Sequence, residues 1–401
     1  MEQQPNSSVV VVMVPLPAQS HLNQLLQFAK IISSRGVPVH YMGSAMHIRQ
    51  AKDRFHGWDP FTISNIHFHD FQFQLPQVIT PHPDPYFSRM FPSHLLPSLI
   101  QLREPISSLL RSLSFTARRV VVHDSLMSFA AEEASLISNA EAYCFHYIIP
   151  SDLPRVSFEG CFPEGFSEYA AQNIQWSMFD VGVIYNSCHA IEGRFLDLVA
   201  QHQLNEKLWA IGPTNPVTLD SSVGDGPRHK CLDWLDKQPQ SCVLYVSFGT
   251  TTSLSDAQIA EIAVALENSE QRFNWVLRDA DGFDTCKDQV RKAQLPNGFE
   301  ERTVGMVVRD SAPQLQILAH SSTGGFLSHC GWNSCMECLI MGVPIAAWPM
   351  HSDQPRNTML VPEILKVGLV VREWTQRNEL ISSAAIESSI RKLMVSDMKG
   401  T

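Results

Sequence analysis

A histidine and an aspartate, each placed after an apolar run, are the first residues here with chemistry to offer. His21 follows Val9 to Val14, inside Gln19-Ser20-His21, and Asp124 follows Val120-Val121-Val122. In an open parallel sheet ligands bind beyond the carboxyl ends of the strands, so residues just after a strand face a site. A histidine held by a carboxylate is a general-base pair, in which the acid fixes the tautomer and stabilises the imidazolium that forms. The plainer reading is a histidine capping its own helix and an aspartate beginning the next one. Sixteen histidines allow chance pairings, and both readings stay open at this point.

A second constellation has the character of an anion site. Ser247 to Thr252 follows the apolar run Val243 to Phe248, and Ser328-His329-Cys330-Gly331-Trp332-Asn333-Ser334 follows Gly325-Phe326-Leu327. His329, Gly331, Asn333 and Ser334 at a helix start would turn backbone N–H groups, a side-chain donor and hydroxyls toward an anion, and a diphosphate fits that description. The alternative is a glycine turn with an ordinary cap at Asn333. No Gly-x-Gly-x-x-Gly and no Gly-x4-Gly-Lys-[Ser/Thr] occurs, which argues against a dinucleotide dehydrogenase and a P-loop NTPase. Cys330, Cys335 and Cys338 have the spacing of iron–sulfur ligands, but no fourth cysteine follows and two of them fall on the expected helix. They are read as small apolar residues, and no metal site is expected. His67 and His69 alternate on a strand face and are read as exposed surface.

The elements that must position these residues repeat. Val9 to Val14 reads as a strand buried on both faces, closed by Pro15 and Pro17. A helix with Leu22, Leu25, Ala29 and Ile32 on one face follows, ends at Arg35-Gly36, and leads into a strand at Val37 to Tyr41. The pattern restarts at Cys242, with a strand at Val243 to Phe248 and a helix carrying Ile259, Ile262, Ala263 and Leu266. Ser255 and Gln258 have capping-box spacing there, and Trp275-Val276-Leu277 is the next strand. The expectation is two doubly wound α/β domains, residues 1–210 and 231–401, facing a cleft, with the Gly-, Pro- and Ser-rich stretch 211–230 as linker.

Composition sets the outer bounds. The chain has 401 residues, 44% apolar and 17% charged, enough for two to three domains with large cores. Thirty basic against forty acidic residues give a net charge of −10, which disfavours nucleic acid and anionic membrane as partners. The apolar stretch Leu339 to Met350 is broken by Gly342, Pro344 and Pro349, so no membrane span is expected. The N-terminus lacks the basic start of a signal peptide, and nine scattered cysteines point to reduced thiols in a cytoplasmic protein.

The run SAPQLQILAHSSTGGFLSHCGWNSCMECLIMGVPIAAWPMHSDQ, Ser311 to Gln354, resembles the signature box of plant UDP-dependent glycosyltransferases over its 44 residues. PLPAQSHLNQ at Pro15, HDSLMS at His123, WLDKQP at Trp234 and YVSFGTTT at Tyr245 extend the likeness to essentially the whole chain. Within the family the zeatin O-glucosyltransferase group is most similar, through HIRQAK, NIHFHDF, FPSHLLPS, WVLRDAD and MHSDQPRN.

The resemblance implies a GT-B fold, with the acceptor on the first domain and the UDP-sugar on the second. It implies His21 as general base and Asp124 as its partner. His329, Gly331, Asn333, Ser334 and a hydroxyl near Thr250 would meet the diphosphate, Glu337 the ribose, and Gln314 the uracil edge. Trp332, Asp353 and Gln354 would hold the sugar, and the Asp–Gln ending is similar to the glucose-preferring form. UDP-glucose is then a co-substrate, with no cofactor or metal. Apart from the resemblance, the protein is expected to be a monomer.

Three departures carry expectations of their own. Ser311 stands where the family usually has a tryptophan that stacks on uracil, and Ser20 replaces the usual glycine. A further helix is expected beyond Thr401, as is a longer stretch after Tyr147. The leading function is glucosylation of the side-chain hydroxyl of zeatin. The alternatives are a flavonoid or other plant phenol or glycoside as acceptor, with UDP-glucose or UDP-xylose as donor, or a non-catalytic small-molecule binder on the same fold. A redox protein is a distant third.

Overall fold

Two all-parallel sheets form because apolar runs too short for helices alternate with segments whose apolar residues recur every three to four positions. The structure, a computed structural model, describes residues 9–52, 60–71, 99–113, 117–146, 159–162, 165–202, 207–215, 228–249, 254–277, 293–310 and 312–395.

The first sheet contains β1 (Val9–Val14), β2 (Val39–Ser44), β3 (Ile66–Phe71), β4 (Arg118–Asp124), β5 (Ala140–His146), β6 (Asp180–Tyr185) and β7 (Lys207–Ala210), in the order β3-β2-β1-β4-β5-β6-β7. The second contains β8 (Val243–Ser247), β9 (Arg272–Val276), β10 (Gly305–Val308), β11 (Thr323–Ser328), β12 (Ile345–Ala347) and β13 (Gly368–Val370), in the order β10-β9-β8-β11-β12-β13. Each sheet therefore reverses its winding once, between β1 and β4 and between β8 and β11. Those reversals open the crevices in which such sheets bind ligands.

The central strands are buried on both faces, as their continuous apolar runs require: Val12, Met13, Val121, Leu244, Val246 and Phe326 are fully enclosed. Helix Gln19–Ser33 follows β1 and buries Leu22, Leu25 and Ala29 against the sheet. Gly36 then takes φ +76°, a left-handed turn that a residue with a Cβ rarely adopts. In the second half, helix Asp256–Ser269 buries Ile259, Ile262, Ala263 and Leu266 and packs against helix Ser383–Val395 through Ile386, Ile390 and Leu393.

Four details differ from the sequence reading. The strand expected at Val37 to Tyr41 runs from Val39 to Ser44, because Pro38 has no N–H for the ladder. The capping box at Ser255 is only half made. Ser255 accepts from Gln258 N at 3.2 Å, but the Gln258 side chain turns away, donating to Ile381 O and accepting from Ile381 N, each at 2.9 Å. His69 is not simply exposed: its Nε2 lies 2.8 Å from His40 Nδ1 on the neighbouring strand, and the two rings stack. Burial, with His69 and His67 nearby, lowers the His40 pKa to about 4.

The described start of the linker is also fastened to the first sheet. Ile211 N, Gly212 N and Thr214 N donate to Tyr185 O, Ser187 O and Asn186 Oδ1. Cys330, Cys335 and Cys338 are core residues, and among the described residues no group of three or more His, Cys, Asp or Glu is placed to hold a metal. Among the same residues no helix is long and apolar enough to cross a membrane.

Candidate active site

His21 lies in the first turn after β1, and Asp124 is the last residue of β4, so the reversal of winding in the first sheet brings them together across 103 residues. His21 Nδ1 is 2.7 Å from Asp124 Oδ2, with side-chain exposures of 12% and 2%. Asp124 Oδ1 accepts from Leu126 N at 2.9 Å. Burial alone would raise the Asp124 pKa. The charge and hydrogen bond of His21 and the Leu126 N–H outweigh burial, so it is held below the usual carboxylate range. With Nδ1 donating to an ionised carboxylate, Nε2 carries the lone pair that could take a proton. The two side chains are therefore in contact, and the N-cap of the helix is Ala18 rather than His21.

The reversal in the second sheet makes the other half of the site. β11 ends at Ser328, whose hydroxyl accepts from Cys330 N at 3.1 Å, and Cys330 takes φ +62°. Helix Trp332–Met341 then begins with Gly331 as its N-cap, which corrects the alternative cap at Asn333. His329 is wedged between two glycines. A Cβ on Gly249 or on Gly331 would lie 2.7 or 2.6 Å from its Nε2, closer than real atoms approach. Burial, helped by His351 and opposed by a hydrogen bond with the Ser247 backbone, lowers the His329 pKa to about 3. Its ring is thus neutral.

One face of the same helix gathers the polar groups. Gln314 Nε2 donates to Ser334 Oγ at 2.9 Å and to Glu337 Oε2 at 2.8 Å, while Asn215 Nδ2 reaches Glu337 Oε1 at 3.4 Å. Ser334 and Glu337 are three residues apart, as neighbours on one helix face must be. The first-turn N–H groups of Asn333 and Ser334 have no acceptor within their own helix. Asp353 Oδ2 accepts from Trp332 N at 3.3 Å and Asn357 Nδ2 at 2.7 Å, and burial raises its pKa.

Two bonds carry this helix to the first sheet. Asn333 Nδ2 donates to Ser20 O at 2.8 Å, one residue from His21, and Trp332 Nε1 donates to Asn186 O at 3.0 Å.

Several expected contacts are placed differently from the sequence picture. The Trp332 indole, 3% exposed, packs in the core, so it is the Trp332 main chain that lies beside Asp353. Gln354 Oε1 is occupied by Met350 N at 2.7 Å and His351 N at 3.0 Å. Thr250 and Ser311 lie outside the described residues.

Sequence reasoning missed Asn186, a fully buried hub. Its Nδ2 donates to Gln24, its Oδ1 accepts from Thr214 N, and its main-chain oxygen accepts from Trp332. The signal was available, since Asn186 directly follows the apolar strand ending at Tyr185. Asn357, Asn215 and Tyr245, whose hydroxyl donates to Gln314 Oε1 at 3.4 Å, had no such signal.

Residues 7–216 match the family described as "Glycosyltransferase, N-terminal domain", and residues 227–396 match "UDP-glucoronosyl and UDP-glucosyl transferase". The chain belongs to the UDP-dependent glycosyltransferases. It is 49% identical to a zeatin O-glucosyltransferase of Phaseolus lunatus, over 97% of this chain and 88% of that protein. It is 46% identical to a zeatin O-xylosyltransferase of Phaseolus vulgaris, over 97% and 89% of the two chains. Among solved structures, a UGT transferase from Siraitia grosvenorii in complex with UDP superposes with a TM-score of 0.74 at 27% identity, covering 96% of this chain and 91% of that one. The transferase has the GT-B fold, and its reaction class is glycosyl transfer from a UDP-sugar.

Proposed function

We propose that this transferase moves glucose from UDP-glucose to the side-chain hydroxyl of zeatin, with inversion at the anomeric carbon. The observation that carries the reading is the Asn333–Ser20 hydrogen bond, which sets the His21–Asp124 pair against the helix start at Gly331. Identities of 49% and 46% to enzymes named for zeatin support the acceptor.

In this reading residues 1–210 hold the acceptor, 211–230 link, and 231–401 hold the donor. His21 Nε2 removes the acceptor proton as the hydroxyl oxygen attacks C1 of the sugar. The C1–oxygen bond to UDP breaks on the opposite side through an oxocarbenium-like state. The imidazolium is stabilised by Asp124. Charge growing on the diphosphate is met by the N–H groups of Asn333 and Ser334 and by His329, all fixed before the reaction starts. Gln314, Ser334 and Glu337 hold the nucleoside, with Glu337 accepting from ribose hydroxyls, and Asp353 and the Gln354 amide nitrogen hold the sugar. No metal or cofactor takes part. In this reading the protein acts as a monomer in the cytoplasm.

The test is UDP release from UDP-glucose and UDP-xylose across trans-zeatin, cis-zeatin, dihydrozeatin and several flavonoids. Zeatin-dependent release with UDP-glucose is the expected result. Release only with flavonoids would discard the acceptor, and UDP binding without any turnover would leave a binding protein. UDP-xylose is the second donor to consider because one relative at 46% identity is named for xylose.

The wedge around His329 gives a further expectation. Gly331→Ala puts a Cβ 2.6 Å from His329 Nε2 and must displace the ring. Overpacking of about 1–3 kcal/mol corresponds to UDP binding weakened roughly 5- to 160-fold by calorimetry. Unchanged affinity would mean that the ring does not meet the diphosphate.

A further inference from the structure

The face of the first sheet opposite His21 holds a polar cluster for which the reaction above has no use. His123 is wholly buried on β4, with Nδ1 2.9 Å from the main-chain oxygen of Asp124 and Nε2 2.7 Å from Asp180 Oδ1. A carbonyl oxygen only accepts, so Nδ1 must carry a hydrogen. The Nε2···Oδ1 contact needs a proton as well, on either the ring or the carboxyl. Burial disfavours a charged ring, but the charge and hydrogen bond of Asp180 outweigh it and raise the His123 pKa, helped by the Asp124 carbonyl.

Successive residues of a strand point to opposite faces, so His123 and Asp124 share a peptide while their side chains diverge. The Asp124 carbonyl is thereby gripped by two donors, His123 Nδ1 and Met127 N, the latter at 2.8 Å. On the other face the Asp124 carboxylate is gripped by Leu126 N and His21.

We propose that His123, locked by Asp180 at the start of β6, is a positioning residue for the His21–Asp124 pair. By holding the Asp124 carbonyl it fixes the last peptide of β4, and with it the direction in which Oδ2 meets His21. This inference rests on the reading of His21 as the base.

Other titratable groups face the pair and must be considered in any pH profile. His146 on β5 lies close to Asp124, His123 and Asp180, and burial lowers its pKa. Its Nδ1 has no partner among the described residues. Tyr169, on helix Phe166–Trp176, donates to Leu126 O at 2.6 Å, and burial raises its pKa. Asp353 faces His21 from the second half of the molecule.

Two amides separate the two ring nitrogens of His123. His123→Asn keeps a donor where Nδ1 stands and gives up Asp180. His123→Gln keeps a group near Nε2 and gives up the Asp124 carbonyl. Each is combined with Asp180→Asn, so that no lone carboxylate stays buried. The Gln variant is expected to lose roughly 10- to 100-fold in kcat, the range seen when a supporting hydrogen bond is removed. Its KM for UDP-glucose should stay within about twofold. A less firmly held carboxylate stabilises the imidazolium less, so the acid limb of its kcat–pH profile should move to lower pH. The Asn variant should recover most of both.

Equal losses in the two variants, with the wild-type acid limb, would reduce His123 to a packing residue and overturn the proposal. A Gln variant with wild-type kcat would do the same. His21→Asn serves as the control: if it keeps activity, the base reading has failed, whatever His123 does. A measurement free of variants is the ¹⁵N shift of His123 Nδ1 in the intact enzyme between pH 5 and 8. An unprotonated Nδ1 would also overturn the proposal.

Discussion

Replacing His21 by alanine is expected to lower transfer by roughly 10²- to 10⁴-fold, the usual contribution of a positioned base, while UDP binds as tightly as before. The separation follows from placement. His21 belongs to the first sheet, and the groups proposed to hold UDP all start from the second. His21→Ala also leaves the Asp124 carboxylate, 2% exposed, without its partner. Removing one member of a buried pair costs about 3–5 kcal/mol, so some of the loss could come from unfolding. His21→Asn removes that ambiguity, because its amide nitrogen reaches about as far as Nδ1 and can still donate to Asp124 but has no basic site. Both variants should be equally inactive in UDP-release assays, with the asparagine enzyme keeping its Tm. An asparagine variant with wild-type turnover would end the base assignment. Loss of UDP affinity in a folded variant would end the division of labour between the two sheets.

Asp124→Asn should be nearly as damaging, for a reason visible in its hydrogen bonds. Leu126 N donates to Oδ1, so the amide oxygen of the variant must stay there and the NH2 must point at His21. An NH2 can only donate, so Nδ1 becomes the acceptor and the ring proton moves to Nε2. The base then presents a hydrogen where it needs a lone pair, and a loss of roughly 10²- to 10⁴-fold is expected with little change in fold.

The same residue gives a stability test. The pKa of Asp124 is lower folded than unfolded. Its contribution is therefore complete above the ordinary carboxylate value near 4 and is lost as pH falls through the folded value. Thermal melts from pH 6 down to pH 2 should fall more steeply for the wild type than for Asp124→Asn. Parallel curves would mean that the carboxylate is not held ionised by His21.

Much of the candidate site was legible because apolar strands mark their own ends. His21, Asp124 and His329 all stand at or just past a continuous apolar run, and the strand order puts each at a reversal of winding. The helix starting at Trp332 and ending at Gly342, with φ +65°, was equally plain, since glycine there permits a left-handed turn. What a side chain does once it arrives was not legible. Gln258 has capping-box spacing but bonds Ile381, and the side-chain oxygen of Gln354 is taken by the main chain of the loop behind it. In both cases a backbone group from another element competes for the same side chain, and nothing local in the sequence announces it.

The alternation of strand and helix, the buried faces and the residues that end each strand can be read along the chain, because they depend on side-chain period and on glycine and proline. The partners come from the folded arrangement: Asp124 for His21, Asp180 for His123, Ser20 for Asn333. Those pairs are separated by 103, 57 and 313 residues. Strand order and the packing of one half of the molecule on the other bring them within 3 Å, and hydrogen-bond strength depends on that distance rather than on separation along the chain.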